Sequence, residues 1–197
     1  TLFSALALAG ADPALVSDER FQYLVPFNFV AGLTATPAPT AAQIAVVKKD
    51  ADQSQKVADA GGLLAIGTDS PLVVPGIDLH LDLRGSGLAT SNLKALQNVT
   101  INAARMSFVD KDLGTVEVGK LADLTIVSGN PLDDLKSAAN VQYVIKNGVT
   151  LTLAEILAPF KTPVVLAQRR KAMWAYQQRC GGEHAHDDAC QITTHAD

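Results

Sequence analysis

Apolar runs alternate with polar, helix-favouring segments over the first seventy positions of the chain. Residues 2–9 (LFSALALA) form an apolar run of strand length, although a buried turn of helix has the same composition. Residues 12–19 predict a short helix within a loop. Apolar positions between 41 and 60 recur with the period of a moderately amphipathic helix, which two glycines end. Residues 63–67 then predict a buried strand that is apolar on both faces.

The order strand, helix, strand is typical of a parallel sheet covered by helices. Further along, the pattern predicts a helix that ends near residues 85–87, followed by two more helical segments. β-Branched residues and glycines over 113–129 predict two strands. The Asn147-Gly148 pair predicts a hairpin turn. Residues 153–178 predict helices interrupted by prolines. Taken together, these strands and helices predict an α/β fold.

The composition limits the partners that the protein can have. Of the 197 residues, 48% are hydrophobic and 18% are charged, against about 25% charged in an average soluble domain. This shortage of charge predicts that other protein covers much of the surface, as in an oligomer. The net charge of −4 argues against nucleic acid as a partner. No apolar run approaches the ~20 residues of a membrane helix, and no membrane partner is expected.

A carboxylate follows the predicted strand at 63–67. The segment Gly67-Thr68-Asp69-Ser70-Pro71 ends the apolar run abruptly. Asp69 could be an Asx-turn residue or the N-cap of the next helix. It could also be catalytic, because barrel enzymes place their chemistry at the C-terminal ends of strands. Thr68 and Ser70 would then shape the loop and orient Asp69, with direct contact to substrate as the less favoured role.

Five motifs occur in an order that decides between these interpretations. They are GTDSP, PGIDLHLDL, NVTINAAR, LGTVEVGKLADLTIVSGNPL and VQYVIKNGV, between about residues 61 and 150. The set resembles the C-terminal end of the amidohydrolase superfamily, in its imidazolonepropionase and prolidase-like branch. That resemblance implies a TIM-like (β/α)8 barrel with a small β-sandwich. Residues 1–108 would hold barrel strands seven and eight, 109–152 part of the sandwich, and 153–197 a helical extension with a polar tail.

The resemblance also implies chemistry, namely hydrolysis of a C–N bond in an amide, peptide or cyclic amide. The family's metal ligands are an H-x-H pair, a Lys or an acid midway, two single His and an Asp after the eighth strand. Asp69 matches that Asp, as metal ligand and as the acid/base that acts on metal-activated water. His80 matches a His near the active-site mouth and could bind a small-molecule or peptide substrate. The alternative for His80 is a packed helix residue. The metal would be divalent, with zinc expected, as one ion or two.

The chain departs from the family pattern in its histidines. The four His are at positions 80, 184, 186 and 195, so no H-x-H pair precedes Asp69. Two parallel strands cannot close a barrel. The sequence therefore predicts a C-terminal portion that works with a companion chain or N-terminal segment carrying the H-x-H, Lys and His ligands. The alternative is an inactive barrel remnant that serves as a binding or scaffold subunit.

The polar tail carries a further candidate. Cys180, His184, His186 and Cys190 could hold zinc, although their spacing is not an established zinc-finger pattern. A disulfide between Cys180 and Cys190, or two free thiols, are the alternatives, and the disulfide is favoured over zinc. A disulfide would place the protein outside the cell, whereas free thiols would fit the cytoplasm.

Overall fold

The computed structural model describes residues 3–69 and 76–180, and it has a mixed helical and sheet architecture. The α-helices, in chain order, are α1 (Pro13–Val16), α2 (Glu19–Leu24), α3 (Phe27–Thr34), α4 (Ala41–Asp59), α5 (Ile77–Gly87), α6 (Asn92–Val99), α7 (Ile101–Met106), α8 (Leu153–Leu157) and α9 (Pro163–Cys180). Short 3₁₀ helices cover Phe3–Ala11, Leu135–Ala139 and Ala158–Lys161. The strands are β1 (Leu124–Val127), β2 (Val141–Lys146) and β3 (Val149–Thr152).

The three strands form an antiparallel sheet in the order β1-β2-β3. Leu124 lies opposite Ile145, and the register shifts between Ile126 and Val127. The β2–β3 connection confirms the predicted hairpin. Asn147 and Gly148 have φ angles of 50° and 78°. Positive φ at both central residues matches the right-handed twist of the flanking strands.

The helical part packs around α5. This helix contacts the 3₁₀ helix Phe3–Ala11, α4, α6 and the 3₁₀ helix Leu135–Ala139. Its Ile77 and Leu81 join a buried cluster that also contains Val47 of α4. The helix α4 confirms the prediction over 41–60, because Thr40 and Gln43 form a capping box at its start. No helix in the described part of the chain is long and apolar enough to cross a membrane.

The strand predicted at residues 2–9 is wrong over its described part. Residues 3–11 form a 3₁₀ helix in which Ala5 and Ala9 are fully buried. The segment contacts α5, and Gly10 approaches the backbone of Pro37 so closely that a Cβ would clash. The apolar run is therefore buried by helices, which a composition of Leu and Ala also permits.

The strand predicted at 63–67 is not formed either. These residues are irregular, and Ile66 N–H donates to the carbonyl of Asn98 at 3.0 Å. A β-strand is defined by its hydrogen bonds to a neighbouring strand. The apolar run at 63–67 has no such neighbour among the described residues and is therefore not a strand. Barrel strands seven and eight are thus not present as strands in residues 3–69. Only one of the two strands predicted in 113–129 forms, because residues 113–123 fold as turns around Lys120, whose ammonium donates to the carbonyl of Asp110 at 2.9 Å.

The C-terminal extension follows the prediction more closely. Residues 153–178 are helical, with a 3₁₀ segment at Ala158–Lys161 and a new helix from Pro163. Thr152 and Glu155 form a second capping box at the start of α8. The division into segments 1–108, 109–152 and 153–197 stays a prediction.

Candidate functional site

Asp69 ends the irregular segment that leads out of α4. Its side chain is exposed, and Thr68 before it is half-buried. Its φ of 52° lies in the left-handed region, which Asp tolerates better than most residues with a Cβ. The backbone therefore turns sharply at Asp69 and presents the carboxylate to solvent. Ser70, the next candidate, lies outside the described residues.

A buried amide network ties this segment to the helices behind it. Asn98 of α6 is 4% exposed, and its carbonyl accepts from Ile66 N–H. Its side-chain amide donates to Ser86 Oγ at 3.4 Å and its Oδ1 accepts from Asn102 Nδ2 at 3.0 Å. The backbone three residues before Asp69 is thereby anchored to α5, α6 and α7.

His80 lies on α5, facing the start of α2. Burial, followed by the positive charges of Arg84 and Arg20, lowers the pKa of His80 to about 4, while Asp18 acts in the opposite sense. The imidazole is therefore neutral near pH 7 and can donate or accept a hydrogen bond. The groups that set its charge state come from α5 and the α2 region rather than from the Asp69 loop.

Two arginine–aspartate pairs surround His80. Arg84 Nη1 lies 2.6 Å from Asp12 Oδ2, with side chains only 11% and 12% exposed. Arg20 Nη2 lies 2.6 Å from Asp18 Oδ2 and also donates to the carbonyl of Ala139 at 2.6 Å. These pairs join α1 and α2 to α5 and to the segment before β2. The contacts from Arg84 to Asp12 and from Arg20 to Ala139 were not predicted from the sequence, because these partners are far apart along the chain.

A buried carboxylate on α5 was also missed from the sequence. Asp78 and Asp82 are fully buried, and neither Oδ atom of Asp78 has a hydrogen-bond partner. Burial, followed by the negative charge of Asp82, raises the pKa of Asp78 to about 7. The sequence contains one signal for this pair. Asp78 and Asp82 are four residues apart, and residues four apart lie on one face of a helix.

The described residues do not make a metal site by themselves. Within 3–69 and 76–180 no group of three or more His, Cys, Asp or Glu side chains could hold an ion. Asp69 offers a single carboxylate, so a metal would need further ligands. The possible zinc or disulfide group of the tail also stays a prediction, because the Cys180 side chain and residues 181–197, with His184, His186 and Cys190, lie outside the described residues.

Comparison with known proteins decides the family. The amidohydrolase family model matches residues 33–151, more than half of the sequence. This chain belongs to the amidohydrolase family. The assignment confirms the resemblance that the motifs around Asp69 predicted, and Asp69 lies within the matched residues.

The amidohydrolase chain is similar to two curated proteins named 5-methylthioadenosine/S-adenosylhomocysteine deaminase. The protein from Thermoanaerobacter pseudethanolicus is 34% identical over 74 residues, which cover 32% of this chain and 17% of that protein. The protein from Caldanaerobacter subterraneus subsp. tengcongensis is 28% identical over 116 residues, covering 48% and 27%. A solved Xaa-Pro dipeptidase with bound methionine in the active site superposes with a TM-score of 0.50 at 25% identity, covering 77% of this chain and 33% of that one.

These matches each cover only a limited part of the similar protein. The chain covers about a third or less of the length of each protein named. The family model, by contrast, spans the segment from α4 to the hairpin turn at Asn147-Gly148. The family of the chain follows from this region, and the activity of a whole enzyme is a separate question.

Proposed function

We propose that this chain is the C-terminal part of an amidohydrolase that hydrolyses a C–N bond in an amide, peptide or cyclic amide. Deaminases and dipeptidases, the kinds of protein that it resembles, both act on C–N bonds. The observation that carries the proposal is Asp69, an accessible carboxylate on a sharply turned segment within the residues that match the family.

Asp69 is the acid/base in this proposal. An ionised carboxylate takes the proton of an attacking water and then delivers it to the leaving nitrogen. Thr68 and Ser70 are proposed to orient Asp69, with direct contact to substrate as the less favoured role. His80, as a neutral imidazole, would donate or accept a hydrogen bond to substrate at the active-site mouth, the position that the resemblance implies for it.

The remaining parts of the site come from outside the described residues. A divalent ion, with zinc expected, would supply the activated water in such an enzyme. Its H-x-H, Lys and His ligands would belong to a companion chain or an N-terminal segment, with Asp69 as the ligand from this chain. An assembly of this kind also explains why the chain carries so few charged residues.

Substitution of Asp69 tests the proposal in the complete assembly. The chain joined to its N-terminal segment or companion is assayed for proline release from Xaa-Pro dipeptides and for ammonia release from 5′-methylthioadenosine. Asp69→Asn keeps the shape but removes the base, so turnover should fall by about 10²–10⁴-fold. Asp112→Asn, which changes an exposed carboxylate elsewhere, is the matched control. Full activity of Asp69→Asn with an intact circular dichroism spectrum would refute the assignment.

An inactive binding or scaffold subunit is the second candidate. It is favoured by the exposed position of Asp69 and by the lack of a three-ligand metal group within the described residues. Metal analysis of the purified assembly separates the two candidates. Stoichiometric divalent metal together with turnover supports the enzyme, whereas an assembly with neither supports the scaffold.

A further inference from the structure

A cleft lies where the start of α2, the adjoining ends of β1 and β2, and helix α8 meet. Its volume is about 410 Å³, within the roughly 300–1,000 Å³ typical of small-molecule sites. Neither Asp69 nor His80 lines it. The cleft is therefore distinct from both candidate residues, although Asp18 and Arg20 of its lining also lie near His80.

Elements outside the family match build two walls of this cleft. The α2 wall precedes residue 33 and the α8 wall follows residue 151. The extension also fixes α2 at both ends. Lys161 forms an ion pair with Glu19 at its start, and Arg169 Nη1 donates to the carbonyls of Tyr23 and Val25 at 3.2 and 2.9 Å at its end. A wall held in this way is preorganised, which lowers the entropic cost of binding a ligand.

The charged groups at the cleft are already paired. Asp18 accepts from Arg20 Nε at 2.7 Å and from Arg20 Nη2 at 2.6 Å, and Glu19 pairs with Lys161. A charged ligand would lose its hydration without gaining an unpaired counter-charge. The cleft therefore favours an uncharged ligand.

Uncharged polar groups remain for recognition. Among the described residues, the Ser128 hydroxyl and the Asn140 side-chain amide have no hydrogen-bond partner, and the Gln142 amide makes one long bond of 3.4 Å to the carbonyl of Asn140. Leu153, which is half-buried, adds an accessible apolar side chain to the lining, whereas Leu157 is only 2% exposed. Amide and hydroxyl groups in the same cleft as one accessible leucine complement a ligand with an amide and a short aliphatic arm.

We propose that this cleft is a second ligand site, which binds an uncharged small molecule that carries an amide group and a short aliphatic side chain. The site goes beyond the proposed hydrolysis and does not depend on Asp69. Specificity arises from the paired charges, which discriminate against ionic ligands, and from the side-chain amides, which hydrogen-bond the ligand amide.

Three matched probes test the ligand class on the full chain. N-acetyl-L-leucinamide is neutral, N-acetyl-L-leucine is an anion, and L-leucinamide is a cation below about pH 7. Each is titrated near pH 6 while the backbone amide resonances of Ser128 and Gln142 are followed by NMR. The neutral probe should saturate in the millimolar range and bind at least about threefold more tightly than either ion. Equal affinities, or no saturable shift at these amides, would overturn the proposal.

Substitutions locate the site. Asn140→Ala and Gln142→Ala should each weaken the neutral probe by about threefold or more, since each removes one amide from the cleft. Gln97→Ala, which removes an exposed amide from α6, is the control and should leave the affinity unchanged. Unchanged binding in both cleft variants would refute the site. Asp69→Asn should bind the probe normally, so failure here and failure of the hydrolytic proposal are distinguishable.

Discussion

At the residue scale, α5 carries two titrating groups whose pKa values move in opposite senses. Burial lowers the pKa of His80 to about 4 and raises the pKa of Asp78 to about 7. Both side chains therefore prefer the neutral form in the folded protein. Their effects on stability oppose each other between about pH 4 and 6.5, where one contribution increases with pH while the other decreases.

Replacement of Asp78 by Asn should reveal one of these effects. The folded pKa is above the unfolded value of 3.8, so the folded state holds the proton more tightly. The stability contributed by Asp78 is fully present below about pH 4 and is lost as pH rises to about 7. Asp78→Asn cannot ionise, and should be more stable than wild type at pH 8, by at most about 4 kcal/mol, with little gain at pH 4. Urea unfolding at pH 8 and pH 4 measures the difference in unfolding free energy between the two proteins. An equal difference at both pH values would contradict the prediction.

Replacement of His80 by Gln should reveal the effect of the lowered His80 pKa on stability. Here the folded pKa is below the unfolded value of 6.5, so the unfolded state binds the proton more tightly. The contribution of His80 is present above about pH 6.5 and is lost as pH falls towards 4. His80→Gln should therefore lose less stability than wild type between pH 7 and pH 4. If the two proteins show parallel stability profiles over this range, His80 is not buried as a neutral ring.

At the element scale, α9 holds α2 through one side chain. The Arg169 guanidinium donates to carbonyls at the C-terminal end of α2, and Tyr176 of α9 stacks edge-to-face on Phe27 with ring centroids 5.6 Å apart. The last carbonyls of a helix have no partner within it, so a cation there satisfies them and complements the helix dipole.

Replacement of Arg169 by Met should loosen this contact. Met keeps the length and apolar character of the side chain but removes every donor, so the unfolding free energy should fall by about 1–3 kcal/mol. Arg170→Met, an exposed neighbour on the same helix, is the control and should change it by less than about 0.5 kcal/mol. Hydrogen exchange of the α2 amides should speed up only in the first variant. Equal effects of the two substitutions would show that Arg169 acts merely as a surface charge.

Elements with local signals were predicted well. The helix at 41–60 begins at a capping box, and the hairpin forms at Asn147-Gly148, where both turn residues need positive φ. Each signal acts within a few residues. The apolar runs at 2–9 and 63–67 were read as strands because composition alone does not reveal what will lie beside them, and in the described residues no strand pairs with either.

At the scale of the whole molecule, long-range pairs connect the segments. Asp12 and Arg84 are separated by 72 positions, and Arg20 and Ala139 by 119. No periodicity or motif marks such partners, because an aspartate, an arginine or a backbone carbonyl looks like any other until the fold brings the two partners together. The same holds for the cleft between α2, the sheet and α8, whose walls come from three distant parts of the chain.

The sequence by itself determined the family, the mixed α/β class, the main helices and the hairpin, and it singled out Asp69 as a candidate. These depend on motifs and on interactions between near neighbours, such as caps and turns. Only the tertiary structure decided that the first apolar run is a 3₁₀ helix, that Asp78 is buried and His80 half-buried with opposite pKa shifts, and that α9 holds α2. Burial and charge pairing depend on which distant residues meet, so these properties exist only in the folded chain.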